Sequence, residues 1–440
     1  MRLFINNGLI VDPAAGLYAP GDLAVEDGVI REVVLHPARE SILHPSPESK
    51  GGPTPPDPSG TSAGSAGEDV VIDARGRWVV PGLIDLHVHF REPGFEYKET
   101  IASGCRAAAC GGVTTVCCMP NTNPPIDNAY AVLTVDSRAE EANEVHVLCV
   151  GAVTKGQEGR ELADYEGMLN ICTNSALLPG RGICGISDDG KTVQDAGLLL
   201  AAMKKAKELG LTYFSHAEPE AEIVERDIAL AEASGCRLHF CHISEKRSVE
   251  LIREAKKRGV SVTAETAPHY FTLTRDDVND DPNRKMNPPL RGFEDREAVR
   301  QGLADGTLDA IATDHAPHST AEKNLPFAEA PNGVVGLETS FAVSYTELVR
   351  AGVLTPLELI SKMSTRPAEI LGIDRGSLQV GKAADLAIID VEKEYRIDPA
   401  AFASKGRNTP FAGKKVYGRI DYTVIGGRID CRPAEADMEA

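Results

Sequence analysis

From about residue 80 the chain settles into a rhythm that few architectures satisfy: short apolar runs alternating with amphipathic stretches, eight times over. The runs are GLIDLHVHF, VTTVCCMP, VHVLCVGAV, GICGIS, LTYFSHAE, RLHFCHIS, VSVTAETA and LDAIATDHA. Between them lie segments such as KETIASGCRAAACGG, GLLLAAMKKAKELG, VELIREAKKRG and DREAVRQGLADG, which carry apolar residues at helical spacing. Eight strand–helix units over about 250 residues form the (β/α)8 pattern, an α/β barrel. A doubly wound open sheet is the competing arrangement, but no GxGxxG follows the first strand.

Both ends of the chain have a different texture, short strands joined by glycine turns. RLFINNGLIV, DLAVEDGVIREVV and DVVIDARGRWVV stand at the N-terminus, with ADLAIIDVEKEYRI and RIDYTVIGGRI at the C-terminus. A small β-sandwich built from residues 1–79 and 373–440 is therefore expected, flanking a barrel at 80–372. About residues 36–69, Pro, Ser and Gly dominate and large apolar groups are few, so a disordered surface loop is expected there.

The 440 residues carry a net charge of −19. That acidity argues against nucleic acid or an anionic membrane surface as partner, and an anionic small substrate would need a local positive patch. No apolar run approaches the ~20 residues that span a bilayer. MRLFINNGLIVDP lacks the basic-then-apolar plan of a signal peptide. The ten cysteines are scattered without a CxxC pair, as expected of buried, reduced thiols in a cytoplasmic protein.

Chemistry in such a barrel sits at the carboxyl ends of the strands, and polar groups fall there in this chain. Strand one ends in His87, His89 and Arg91, which share a face by the period-two alternation of a strand. Strand two ends near Asn121 and strand four at Asp188-Asp189-Gly190; His216, His242 and Asp314 end strands five, six and eight. Taken singly, each has a structural explanation: an Asp can cap a helix and a core His can be satisfied by a carbonyl. Six such coincidences at one mouth favour a metal centre. Imidazole with carboxylate suits Zn²⁺, or Mn²⁺ or Co²⁺. The ligands are too many for one tetrahedral ion, so two ions sharing a carboxylate, ~3.5–4 Å apart, are expected to activate a bridging hydroxide. His146 and His239 lie within strand runs, where packing is the expectation. His269 follows a proline after strand seven and is given no role.

At these residues the sequence resembles the dihydroorotases of the amidohydrolase superfamily, specifically their bacterial type I branch. The stretches that carry the likeness are DLHVHFREPG, GGVTTVCCMPNTNPP, ISDDG, FSHAE, CHIS, MNPPLRG, ATDHAPH and GVVGLET, extended by GKAADLAIID and GRNTPF. The resemblance implies two Zn²⁺ per subunit, or a single occupied position. His87 and His89 would hold one ion and His216 and His242 the other. Asp189, the second Asp of the DDG turn, would bridge them, and Asp314 would be ligand and general acid/base. It implies substrate binding by His89, Arg91, Asn121, Asn287 and His318, with backbone contacts near Asn332 and Gly333. The implied reaction is reversible cyclisation of N-carbamoyl-L-aspartate to (S)-dihydroorotate in pyrimidine synthesis, with a homodimer or aspartate transcarbamoylase as partner.

Two alternatives stand beside it. Hydantoinases and allantoinases generally bridge their metals with a carboxylated lysine on strand four, where this chain has ISDDG with Lys191 beyond the glycine. A non-catalytic scaffold for aspartate transcarbamoylase usually lacks the metal ligands this chain keeps. One departure from the family is the connection between His216 and His242, usually longer, which here has room for a single helix at about Ala221 to Ala233. The segment HAPHSTAEKNLPFAEAPNGVVGLE has the length and Pro/Gly content of a loop that closes over ligand.

Overall fold

A computed structural model of the chain describes residues 2–37, 69–173 and 175–431. Its centre is a barrel of eight parallel strands in sequential order: β1 (Leu83–Val88), β2 (Val113–Cys118), β3 (His146–Ala152), β4 (Gly185–Ser187), β5 (Thr212–Ser215), β6 (Arg237–Phe240), β7 (Val262–Thr266) and β8 (Ala310–Ile311). A parallel bridge between Val88 and His315 closes the ring from β8 back to β1. Each apolar run yields one strand, and all six residues of β1 and of β2 are buried. This is the arrangement for parallel strands covered on both faces.

The amphipathic segments become the outer helices. Thr100 and Ser103 form a capping box on Ile101–Cys110, Asp195 caps Ala196–Leu209, and Gly210 ends that helix in the left-handed region, where glycine alone pays no Cβ penalty. Lys246–Lys257 turns Val249, Ile252 and Ala255 onto the barrel and carries Lys256 and Lys257 in its last turn, where cations meet the negative end of the helix dipole. Cutting the buried Ile252 to alanine would cost about 2–5 kcal/mol through lost burial and the cavity left behind. The connection between His216 and His242 is a single helix, Glu220–Ser234, within a residue of the expected span at each end. Among the described residues no helix is long and apolar enough to cross a membrane.

Strand β1 explains how one apolar run serves both packing and chemistry. Ile84 and Leu86 belong to the inner core with Cys117, Leu148, Val150 and Phe214. The pairing of β1 with β2 then slips register between Asp85 and Val88. Past the slip, His87 and His89 face the interior while Val88 and Phe90 join the outer core. Irregularities of this kind re-aim side chains at barrel rims.

The two termini make one mixed sheet. Arg2–Asp12 pairs antiparallel with Leu17–Glu26, and its two halves pair in parallel with Val70–Asp73 and Trp78–Pro81. Trp78–Pro81 then pairs antiparallel with Leu386–Arg396, which joins Lys415–Ile425 and Arg428–Cys431 from the C-terminus. Leu3, Ile5, Ile10, Leu23, Ile388 and Val424 form its core. DLAVEDGVIREVV folds as a hairpin on Asp27-Gly28, both at positive φ, as a two-residue turn demands. DVVIDARGRWVV is two strands, not one, because the chain turns at Gly76, φ +74°, before Arg77. The Pro/Ser/Gly-rich stretch lies, apart from its first and last residues, outside the described residues.

Candidate metal centre and active site

Six side chains named from the sequence converge at the carboxyl mouth of the barrel. Asp189 is the hub. Its oxygens lie 3.3 Å from His87 Nε2, 3.5 Å from His89 Nε2, 3.3 Å from His216 Nδ1 and 3.5 Å from His242 Nε2. Asp314 Oδ1 is 3.0 Å from His89 Nε2 and 3.6 Å from His87 Nε2. All six are buried, Asp314 being the most exposed at 7%. His87 Nε2 and Asp189 Oδ1 make no hydrogen bond among the described residues. Buried polar atoms left this way are costly unless something else satisfies them.

The spacing says what that is. Ligands about 2.1 Å from a tetrahedral ion lie about 3.4 Å from one another, and these nitrogens and oxygens keep such separations. His87, His89 and Asp189 form one candidate metal-holding group, and Asp189, His216 and His242 another. Asp189 belongs to both, so the donor set fits two cations sharing a carboxylate. The electrostatics agree. Burial alone would raise the Asp189 carboxyl, but the charge of His87 and contacts with His216 and His242 hold it well below the usual range. Asp314 is likewise pushed up by burial and pulled down to about 2, by the hydrogen bond with His89 and by the charges of His87, His89 and His242. The neighbouring Asp188 is spent on the scaffold: it accepts from Val153 N at 2.8 Å, Thr154 N at 3.1 Å and Thr154 Oγ1 at 2.5 Å.

Around this floor stand the expected substrate residues. Asn121 Oδ1 accepts from His89 Nδ1 at 2.8 Å, and the Asn287 amide is 3.3 Å from His216 Nε2. Arg91 donates through Nε to Pro317 O at 3.3 Å. The adjacent Glu92 does not pair with it: it accepts from Ile101 N and faces Arg138. Lys98 donates to His318 Nδ1 at 3.2 Å, and His318 Nε2 donates to Asn332 O at 2.7 Å. His318 is thus neutral, held down at about 3 by burial and by the charges of Arg91 and Lys98. Gly333 sits at φ +131°, where an added Cβ would come within 2.8 Å of Ala316 Cβ. Arg91, His242 and Asp314 also have positive φ, at 62°, 40° and 49°, an uncommon state for such residues that concentrates at functional sites.

Several buried groups here were not singled out from the sequence. Glu265, inside β7, faces His87 and His239 at 3.4 and 3.2 Å. Its signal was a carboxylate in the otherwise uncharged run VSVTAETA. Asp85 accepts from His87 N and Thr313 N, both at 3.1 Å, tying β1 to the end of β8, and burial raises it to about 7. Glu99 and His315 are 3.3 Å apart. Lys98 carried no sequence signal of its own.

A closed (β/α)8 barrel with a two-cation donor set at its carboxyl mouth defines a class of metal-dependent hydrolase. The chain belongs to the amidohydrolase family, whose model matches residues 78–429. Within that class its kinship is specific. It is 44% identical to the dihydroorotase of Pelotomaculum thermopropionicum, over 98% of each chain, and 42% identical to that of Anaeromyxobacter dehalogenans, over 99% of each. Among solved structures, the L-hydantoinase (dihydropyrimidinase) of Arthrobacter aurescens superposes with a TM-score of 0.82 at 24% identity, covering 98% of this chain and 96% of that one. That likeness reports the shared fold.

Proposed function

We propose that the chain is a dihydroorotase, interconverting N-carbamoyl-L-aspartate and (S)-dihydroorotate in pyrimidine synthesis. The observation that carries this is Asp189 at the centre of four imidazoles, in a chain matching dihydroorotases along almost its whole length. Zn²⁺ suits the donors, His87 and His89 holding one ion, His216 and His242 a second, with Asp189 between them and Asp314 at the first. Bound there, the cations lower the pKa of a water toward neutrality and take up charge on the scissile carbonyl.

The side chains supply the rest. In the hydrolytic direction Asp314, ionised at neutral pH, takes the proton of the attacking water and returns it to the ring nitrogen as the C–N bond breaks. Arg91 forms no ion pair among the described residues, and its Nε–H is anchored on Pro317. Its terminal nitrogens are left as a planar fork for the substrate carboxylate, the local positive charge an anion needs in an acidic protein. Asn121 and Asn287 orient His89 and His216 and border the same space. His318 has its Nε2–H on Asn332 O, so a substrate carboxylate would replace that carbonyl as acceptor. Within the segment 315–338, whose ends are tied into the barrel at His315 and Gly336, the stretch 319–332 closes over ligand, with backbone contacts near Asn332 and Gly333.

A hydantoinase-type site would need a lysine among the imidazoles, whereas Lys191 Nζ donates to Gln157 O at 3.0 Å. The proposal includes a cytoplasmic enzyme, as a homodimer or bound to aspartate transcarbamoylase; co-elution with added transcarbamoylase tests the second, and clean separation removes it. Turnover of dihydroorotate and of hydantoin by the zinc-loaded protein tests the activity. Dihydroorotate should be the substrate, and turnover of hydantoin alone would overturn the assignment.

A further inference from the structure

Behind the His87 ring, on the side away from Asp189, lies a second buried array that the proposed reaction does not use. Glu265 has one carboxylate oxygen 3.4 Å from His87 Nδ1 and the other 3.2 Å from His239 Nε2. All three residues have 0% exposure. His239 is held in turn from the opposite side, its Nδ1 2.8 Å from Thr263 Oγ1. None of the four facing atoms, His87 Nδ1, His239 Nε2 and the two Glu265 oxygens, makes a regular hydrogen bond among the described residues. Besides one another, the polar group they meet is the buried Cys241 thiol, which lies within 4.8 Å of His87 and Glu265.

We propose that Glu265 is a positioning residue for His87 and sets the affinity of the ion held at His87 and His89. The protons order themselves along the array. Thr263 O–H donates to His239 Nδ1, which places the ring proton on Nε2, facing Glu265. The other Glu265 oxygen faces His87 Nδ1 as an acceptor and keeps the ring proton on that nitrogen, which leaves the His87 Nε2 lone pair directed at Asp189 and the ion. A ligating imidazole backed by a carboxylate is fixed in tautomer and orientation and is more basic. The four imidazoles are not backed alike. His89 has the neutral Asn121, His216 has the neutral Asn287, and His242 Nδ1 has no hydrogen-bond partner among the described residues. Only His87 is backed by a carboxylate, so the centre is electronically asymmetric and the His87–His89 position should be the tighter of the two.

This inference rests on the assignment of His87 as an ion ligand, and the experiment separates the two. The full-length protein, stripped and refilled, is titrated with Zn²⁺ against a chromophoric chelator and with Co²⁺ by its visible absorption. Wild type should bind two ions of unequal affinity. Glu265→Gln should weaken the tighter by about 10–100-fold, leave the weaker within a few-fold, and shift the Co²⁺ bands of the tighter position. Excess zinc should restore its turnover. His239→Gln should act in the same direction and less strongly, because Glu265 loses its rear anchor, and it decides the matter should Glu265→Gln fail to fold. Unchanged affinities and bands, or equal losses at both positions, would make Glu265 a structural residue only. A His87→Ala variant that still binds two ions with wild-type affinity would instead remove the metal assignment itself.

Discussion

Two buried polar regions meet at the mouth of this barrel, and they differ in how completely they satisfy themselves. At the rim beside β8, each buried group finds partners within the chain. Glu99 receives Lys405 N at 3.1 Å and Ser404 Oγ at 2.5 Å and also bonds Ser103, while His315 takes Gly336 N at 3.2 Å. Asn408 accepts from His318 N at 3.1 Å and donates to Ala316 O and Gly333 O, each at 3.0 Å. On the floor, His87 Nε2 and Asp189 Oδ1 are just as buried and make no hydrogen bond among the described residues. A folded chain does not leave such atoms in a low-dielectric interior without return. The rim holds itself together, whereas the floor is built to be completed by cations.

If that contrast is right, the largest effects belong to the floor. Asp189→Asn removes the shared carboxylate and should abolish binding of both ions, with turnover falling at least on the order of 10³-fold. Metal analysis beside a dihydroorotate assay checks this, and a variant that keeps both ions would erase the distinction between the regions. Asp314→Asn comes next. It should keep most of its metal while kcat falls by on the order of 10²–10⁴, and near-normal turnover would remove Asp314 from proton transfer. Arg91→Ala should raise KM by about 10–100-fold through loss of a charge-assisted pair, with metal content unchanged. An unaltered KM would count against the clamp.

Rim substitutions should do the opposite. Asn408→Ala strands the carbonyls of Ala316 and Gly333 and the amide of His318, which costs about 1–3 kcal/mol. A lower thermal midpoint with wild-type zinc stoichiometry is the expected result. Loss of zinc with no loss of stability would show the two regions to be one.

The barrel was legible because eight apolar runs and their helices are local patterns, and the short crossover helix between His216 and His242 followed from the residues available. The donor set was legible because it stood at strand ends. What stayed hidden depends on geometry that periodicity does not carry. Strict alternation from Ile84 and Leu86 would turn His87 away from the interior, and only the register slip after Asp85 lets both pairs point inward. Alternation could not choose between Asp188 and Asp189, whose roles diverge because Val153 and Thr154 capture the first. Glu265 and Glu99 went unremarked because a lone acid in a strand or before a helix shows nothing of the imidazole it faces across the barrel. The single strand expected from DVVIDARGRWVV breaks at a glycine turn that lets its halves pair with separate parts of one neighbour.

The smallest effect tests the seam between the two regions, at His318, whose backbone is held by the rim and whose ring borders the substrate space. Burial and the charges of Arg91 and Lys98 keep its folded-state pKa at about 3, against about 6.5 for an unfolded histidine. Below the unfolded value, the unfolded chain takes up a proton that the folded chain refuses. Stability therefore falls as pH drops through about 6.5 and goes on falling until the ring titrates in the folded state near 3. Between about pH 7.5 and pH 6 this contributes a loss of about 0.8 kcal/mol. His318→Gln removes the titrating group while keeping an amide for Asn332 O. Its thermal midpoint should sit lower at pH 7.5 and decline less on acidification than that of wild type. Parallel declines would mean that the ring carries its proton in the folded protein, and with it that Lys98 does not donate to Nδ1.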